Sequence, residues 1–462
     1  MLAKLKKKYI GDWDFYQKYL LLAIPMILQN AITNLVSFLD NIMVGQLGTE
    51  QMSGVAIVNQ LIFVYNLAIF GAVSAASIFG AQYFGKGNHK GHMYSFRFKL
   101  YATLLVTGGA IVLFLTKGSA LISLYLTDTV GNGATEAALN YGLEYLVIMM
   151  VGLIPFAVNQ SYATNIKETG QTFIPMMASF VAVGTNALLD YLLIFGIGPF
   201  PEMGVQGAAL ATVIARYIEA LIVVIWAHIH RAKNRYLEGA YTGFGIPLAE
   251  LKAILIKGFP LMMNEVMWAA GMTTVTQCYS VRGLDVVAGL NIASTITNLF
   301  NIVYLQLGSC ISIVVGQYLG AGKLEDAKDA DNKMIVFSVF CCVIMAVLMF
   351  VVGGFFPGIY NTTEEIRELA TNFIAVSAII MPFCAFSHAS YFTLRSGGKT
   401  VVTFLFDSVF TWVIVVPAAY LLAHFTGLGI VSIYFLVQGT ELIKVIIGYL
   451  MVKSNVWVVQ MV

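Results

Sequence analysis

The chain has 462 residues, of which 59% are hydrophobic and only 11% charged, and its mean hydropathy is +0.81. A soluble globule of that length needs more polar surface than this composition supplies, so the chain belongs in a bilayer. The formal net charge of +2 gives no hint of a nucleic-acid partner.

In chain order, the opening stretch MLAKLKKKYIGDWDFYQKY is basic, but no short apolar core with a small-residue cleavage site follows it. Residues 1–17 therefore read as a cytoplasmic lead and not a signal peptide. Twelve apolar runs come next, predicted as helices over 18–46, 52–80, 95–116, 138–165, 172–196, 204–230, 258–281, 286–318, 334–355, 368–394, 400–422 and 426–452. Each is long enough to cross roughly 30 Å of hydrocarbon at about 1.5 Å per residue. The runs are continuously apolar, whereas barrel strands would alternate over about ten residues, so the predicted class is an all-α membrane protein. Between the sixth and seventh runs, 231–257 is the longest polar segment, and its IPLAELKAILIK end is predicted to lie as an amphipathic helix on the cytoplasmic surface. Residues 454–462 are expected to form a cytoplasmic tail.

Lys and Arg concentrate in alternate loops, among them Lys86, Lys90, Arg97, Lys99, Lys167, Arg231, Arg235, Lys323, Arg395 and Lys399, while the opposite loops hold only Lys117, Arg282 and Arg367. The positive-inside rule then puts both termini in the cytoplasm of a multi-pass plasma-membrane protein. All five cysteines lie in apolar helix sequence without metal-ligand spacing and read as buried filler.

The chain repeats itself. At a constant offset of 235 residues, Pro25 falls on Pro260, Gly48 on Gly283, Asn66 on Asn301, and QYFGKG (82–87) on QYLGAG (317–322). Further on the offset slips to 227 or 228, with Pro155 over Pro382. A repeat of six helices preserves direction, so the halves are parallel repeats about an axis along the membrane normal: an N-lobe over 18–230 and a C-lobe over 258–453. The repeat is also an internal control. Scaffold residues tend to recur in both halves, while those of a specific site need not. Asp40 lies over Val275, and Asp190 over Pro417 or Ala418, so this acid pair belongs to the N-lobe alone.

Asp40 sits about six residues before the outer end of the first helix, Asp190 about six before that of the fifth, and Thr212 about eight inside the outer start of the sixth. Asn186 is one turn from Asp190 on the same face. An ionised side chain in a membrane helix costs at least about 2.5–3.5 kcal/mol, so it normally faces a protein cavity and marks an ion or proton path. Two readings stay open: carboxyls raised towards proton uptake by burial and by each other, or hard oxygen ligands for a small cation. A static hydrogen-bond knot between helices is the plainer alternative.

SFLDNIMVGQLG (37–48), NALLDYLLIFG (186–196), GAALAT (207–212), the paired QYxGxG turns and the six-plus-six repeat together resemble the multidrug and toxic compound extrusion (MATE) transporters over essentially the whole chain. That resemblance implies a V-shaped pair of six-helix lobes around a central cleft, alternating access, and export of organic cations or drugs in exchange for H+ or Na+. It implies that Asp40, Asn186, Asp190 and Thr212 form the N-lobe cation site, holding Na+ if coupling is to sodium, and that no cofactor is needed beyond the transported ion. It places Asn159 near the drug chamber, where capping a polar helix end is the alternative, and makes Pro25 the first-helix proline whose missing backbone hydrogen bond permits bending. Glu265, opposite Asn30 in the repeat, is a candidate C-lobe coupling acid, since some family members use C-lobe acids.

Two further couples are spaced i, i+3 and read as local neutralisation of buried charge: Arg216 with Glu219, and Glu441 with Lys444. Arg216, one turn from Thr212, is also placed to act on the acid pair. His388 replaces Ser161 across the repeat and is a proton-relay candidate. Asp407 reads as solvation at the inner mouth. The sequence offers no HExxH, nucleophile elbow or phosphate-binding glycine loop, so an enzyme is not expected. The nearest rival is a lipid-linked sugar flippase of related architecture. The partners expected are the lipid bilayer and small organic cations, and a monomer is the default.

Overall fold

In the computed structural model, residues 8–126, 132–243 and 245–462 are described, apart from the side chains of 36–38 and 132. Among them every regular element is helical. The twelve expected spans are α1 (Trp13–Gly45), α2 (Thr49–Lys86), α3 (His89–Ser123), α4 (Asn132–Val151 with Leu153–Glu168), α5 (Phe173–Phe195), α6 (Gly204–Ile229), α7 (Leu248–Ser280), α8 (Leu284–Gly320), α9 (Leu324–Gly353), α10 (Glu364–Ser396), α11 (Thr400–Phe425) and α12 (Ile430–Lys453). Ten of the twelve are long and apolar enough to cross a bilayer on their own. The α4 pair passes the same test with a 45° bend. Helix α7 is equally long but carries Lys252, Lys257 and Glu265. Many large apolar side chains point outwards, such as Leu105, Leu115, Phe340 and Val347. On a soluble surface such a patch would aggregate, whereas in lipid it is the favourable face.

One boundary differs from the expectation. Residues 248–257 are not a separate surface helix but the opening turns of α7, which runs unbroken to Ser280. The bend of α4 falls at Gly152, just before Pro155, whose ring cannot donate the backbone hydrogen bond a straight helix would need there.

The chain forms two compact units, each drawn from more than one segment. One consists of Ile24–Gly80 and His89–Leu251, the other of Met1–Ala23, Ala81–Asn88 and Lys252–Val462. Helix α1 changes unit at Ala23/Ile24, directly beside Pro25, and α2 changes at Gly80/Ala81. The start of α1 is claimed by the second unit through the Tyr19 hydroxyl, which donates to the Leu307 carbonyl at 2.8 Å.

Within that second unit the two copies of the QYxGxG turn cross each other. A Cβ on Gly85 would lie 1.9 Å from the Gln317 carbonyl oxygen, and one on Gly320 would lie 1.9 Å from that of Gln82. Repeat-equivalent glycines thus face repeat-equivalent glutamines, and only glycine fits at either position. The Gln82 amide then binds the tail, donating to the carbonyls of Ser396 at 2.9 Å and Val459 at 3.2 Å, while its oxygen accepts from the Met461 N–H at 2.8 Å.

In the first unit, the linker after α6 is fastened down. The Arg97 guanidinium, buried in α3, donates to the carbonyls of Ala240 (2.9 Å), Gly245 (2.7 Å) and Gly239 (2.6 Å). Tyr236 packs on Phe96 and His92, and the Tyr241 hydroxyl bonds that of Tyr162. Close by, Lys99 and Glu168 form a buried ion pair at 2.5 Å.

Candidate functional site

A polar cavity of about 270 Å³ lies inside the first unit, lined from α1 by Asp40 and Asn41, from α2 by Asn59 and Asn66, from α4 by Tyr145, and from α5 and α6 by Asp190, Thr212 and Arg216. The local folding of three helices sets its depth. Gly196, in the left-handed conformation at φ +66, ends α5 six residues after Asp190. Helix α6 starts at Gly204, two turns before Thr212, and α1 ends at Gly45, five residues after Asp40. Glycine takes such a left-handed position without the steric penalty other residues pay, which is why helices often end on it.

The expected quartet therefore gathers. Asp40 and Asp190 act on each other electrostatically across the cavity, and the Asn186 amide reaches the Thr212 hydroxyl at 3.5 Å. Asp190 is only 1% exposed. Both of its carboxyl oxygens and Oδ1 of Asp40 are buried and make no hydrogen bond among the described residues. A buried carboxylate oxygen without a donor is costly, so the donor set fits a bound proton or a small hard cation. Thr212, Asn59 and Asn66 line the same cavity and add neutral polar groups to it.

The asparagines on α2 are functional candidates that sequence reasoning missed. Asn59 and Asn66 are seven residues apart and so share a helix face, a signal that was available. Asn66 recurs as Asn301 in the other repeat, which favours an architectural role, and it nevertheless lines the cavity. Tyr145 donates to Oδ1 of Asn59 at 3.4 Å and closes that side of the cavity.

Arg216 joins the cavity wall, and Glu219 lies within electrostatic reach of it, although no direct ion pair forms between them among the described residues. Its guanidinium lies over the Phe156 ring at 5.1 Å and donates weakly to the Gly152 carbonyl at 3.4 Å. Glu219 accepts instead from the Ser179 hydroxyl, which accepts from the Gln29 amide at 2.8 Å. Asn159 is buried on α4 and does not line this cavity.

The remaining candidates belong to the second unit. Glu265 lies within electrostatic reach of Arg395 and Asp407. His388 packs at a tilt against Tyr304 with ring centroids 4.6 Å apart, has Nδ1 2.9 Å from the Cys384 carbonyl, and is near Asp407, Glu441 and Lys444. Asp407 is not mouth solvation: its carboxylate accepts from Lys444 at 2.6 Å and from the Asn264 amide at 3.0 Å. Lys444 accordingly does not form its closest pair with Glu441, as the i, i+3 spacing had suggested. Helical neighbours lost to a better partner across the bundle, because a local pair must bend two side chains along one surface.

The family model described as MatE matches residues 25–192 and again residues 260–421. The chain belongs to the MatE family. The two matched blocks coincide with the two copies of the internal repeat. Among similar MatE-family relatives, a probable multidrug resistance protein NorM of Thermotoga maritima is 24% identical over 413 residues, covering 89% of this chain and 86% of that protein. A NorM relative from Halalkalibacterium halodurans is also 24% identical over 413 residues, covering 89% and 88%. A solved structure described as the outward-facing conformation of a multidrug resistance MATE family transporter of the MOP superfamily superimposes with a TM-score of 0.85 at 19% identity, covering 96% of each chain. This MatE-family chain therefore has the MATE fold and is a multi-pass membrane protein.

Proposed function

We propose that the chain is a secondary active efflux antiporter, exporting cationic or amphipathic organic compounds in exchange for Na+ or H+ by alternating access. Family membership and the names of the relatives support the efflux reading. The observation that carries the coupling reading is the cavity in which the two N-lobe carboxylates, absent from the other repeat, present buried oxygens without donors. In this reading Asp40 and Asp190 take up the coupling ion, while Asn186 and Thr212 orient them or complete the ligand shell. Pro25 lets α1 respond, because a proline inside a helix leaves one carbonyl without its donor. Glu265, His388, Arg216 and Asn159 remain candidates for a coupling or substrate-contacting role. A bound cation drives the cycle only through a difference in its affinity for the two access states, and Asp40, on the helix that carries Pro25, is placed to sense that difference.

The test uses purified protein in vesicles. An imposed Na+ or pH gradient should move ethidium against its own gradient, and whichever gradient works names the coupling ion. Scrambling of lipid-linked sugars with no ethidium movement would replace this reading by the flippase.

A further inference from the structure

Lys99 and Lys444 are each neutralised where they stand. Lys99 meets the Glu168 carboxylate at 2.5 Å, and Lys444 meets that of Asp407 at 2.6 Å. Arg216 has no such partner. Its guanidinium lines the cavity that holds Asp40 and Asp190, and among the described residues it forms no ion pair with any carboxylate.

Neutral groups alone hold it on the wall. The guanidinium lies over the Phe156 ring at 5.1 Å and donates to the Gly152 carbonyl at 3.4 Å, at the bend of α4. Gly152 leaves room for the stem of the side chain, since a Cβ there would sit 3.4 Å from Arg216 Cδ. The next carbonyl, that of Leu153, is taken by the Tyr65 hydroxyl at 3.0 Å. None of these partners removes the charge, and a guanidinium keeps its proton in a protein. The titratable groups within electrostatic reach of Arg216 are Tyr145, Tyr65 and Glu219. Glu219 does not line the cavity and accepts from Ser179. Tyr145 also feels Asp40 and Asp190, so the cation and the acid pair share a neighbour on one cavity wall.

Two carboxylates and one guanidinium thus face a cavity of about 270 Å³. With both acids ionised, one negative charge is left over, and a single monovalent cation cancels it. Without Arg216, two monovalent cations or one divalent ion would be needed. In an enclosed site inside a membrane an uncompensated charge is costly, so the neutral count is the favoured one. We propose that Arg216 is the fixed counter-charge of the acid pair and limits it to one monovalent ion per transport cycle. The proposal rests on the antiporter reading and gives it a stoichiometry: exchange of one such ion for ethidium, itself a monovalent cation, is electroneutral. Arg216 is also the residue that turns away divalent cations, for which two carboxylates and amide oxygens are otherwise suitable ligands.

The test titrates purified full-length protein in detergent with CaCl2, against choline chloride of matched ionic strength, and follows thermal unfolding with neither drug nor gradient present. The wild type should show no Ca2+-specific stabilisation. Arg216→Gln should bind Ca2+ at least about tenfold more tightly, because charges on the wall of so small a cavity lie on the order of 10 Å apart. Arg216→Met tests the same point if the glutamine variant does not fold. Arg216→Lys keeps the charge and should behave as the wild type. The double variant Arg216→Gln/Asp190→Asn returns the cavity to one negative charge and should lose the Ca2+ response again, a rescue that a merely structural role for Arg216 would not show. In vesicles, ethidium exchange by the wild type should be indifferent to a K+ diffusion potential set with valinomycin. Ca2+ binding by the wild type as tight as by Arg216→Gln, a Ca2+ response that persists in the double variant, or potential-driven exchange by the wild type would each overturn the proposal. If the Ca2+ series behaves as expected but the wild type moves no ethidium on a Na+ or pH gradient, the antiporter reading fails and the charge assignment stands.

Discussion

At the scale of single residues, the cavity's oxygens have separable duties. Asp190 is the most enclosed of them, with Asp40 and Asn186 acting on its carboxyl. Thr212 supports it indirectly, through Asn186. Thr212→Ala should therefore weaken coupling-ion affinity several-fold without abolishing transport, since a single neutral hydrogen bond contributes about 0.5–1.5 kcal/mol. The half-saturating ion concentration in an ethidium exchange assay reads this directly. Removing Arg97 has a different consequence. Arg97→Ala deletes three charge-assisted bonds to Gly239, Ala240 and Gly245 and should expose 231–245 to limited proteolysis. Arg97→Lys should not restore protection, because one ammonium cannot reproduce the planar fork that serves three carbonyls.

At the scale of elements, the helices were legible almost throughout, because the apolar runs and the width of the hydrocarbon fix their number. What the sequence could not convey was where helices trade partners. Spacing along one helix suggested Arg216–Glu219 and Glu441–Lys444, whereas the actual bonds, Ser179–Glu219 and Asp407–Lys444, cross between helices. Long-range pairings of that kind have no period to betray them. The same limit hid Asp407, whose position near a predicted helix end looked wet until α11 was seen to widen into a π-turn. The continuity of α7 from Leu248 was missed because its first turns are amphipathic and its middle is apolar, a change of pattern that need not be a change of element. The crossing of the paired QYxGxG turns, in contrast, gives a sharp prediction. Gly85→Ala and Gly320→Ala should each destabilise the protein by about 1–3 kcal/mol or more, since a methyl group there must displace backbone. A thermal-unfolding series in detergent should place both well below a control such as Gly108→Ala, where a Cβ meets nothing within 4 Å.

At the scale of the whole molecule, the repeat explains why the cavity could be located without a relative to compare. Two copies of one six-helix plan leave the copied residues to architecture, as with Pro25 and Pro260 or the two QYxGxG turns. The acids that have no copy stand out against that background. The rule also misled once, since Asn66 is copied and yet lines the cavity. A repeated residue can serve a site in one half and packing in the other, so recurrence lowers the claim to function without cancelling it. The compact units further show that α1 and α2 each serve both, which a contiguous division of the chain conceals.

The most direct test of the central claim, that one enclosed carboxylate pair couples an ion to efflux, is gradient-driven ethidium movement in vesicles holding matched amounts of folded wild-type, Asp40→Asn and Asp190→Asn protein. The account predicts movement with the wild type and none above empty vesicles with either variant, all three unfolding at similar temperatures. Wild-type rates from either asparagine variant would contradict it.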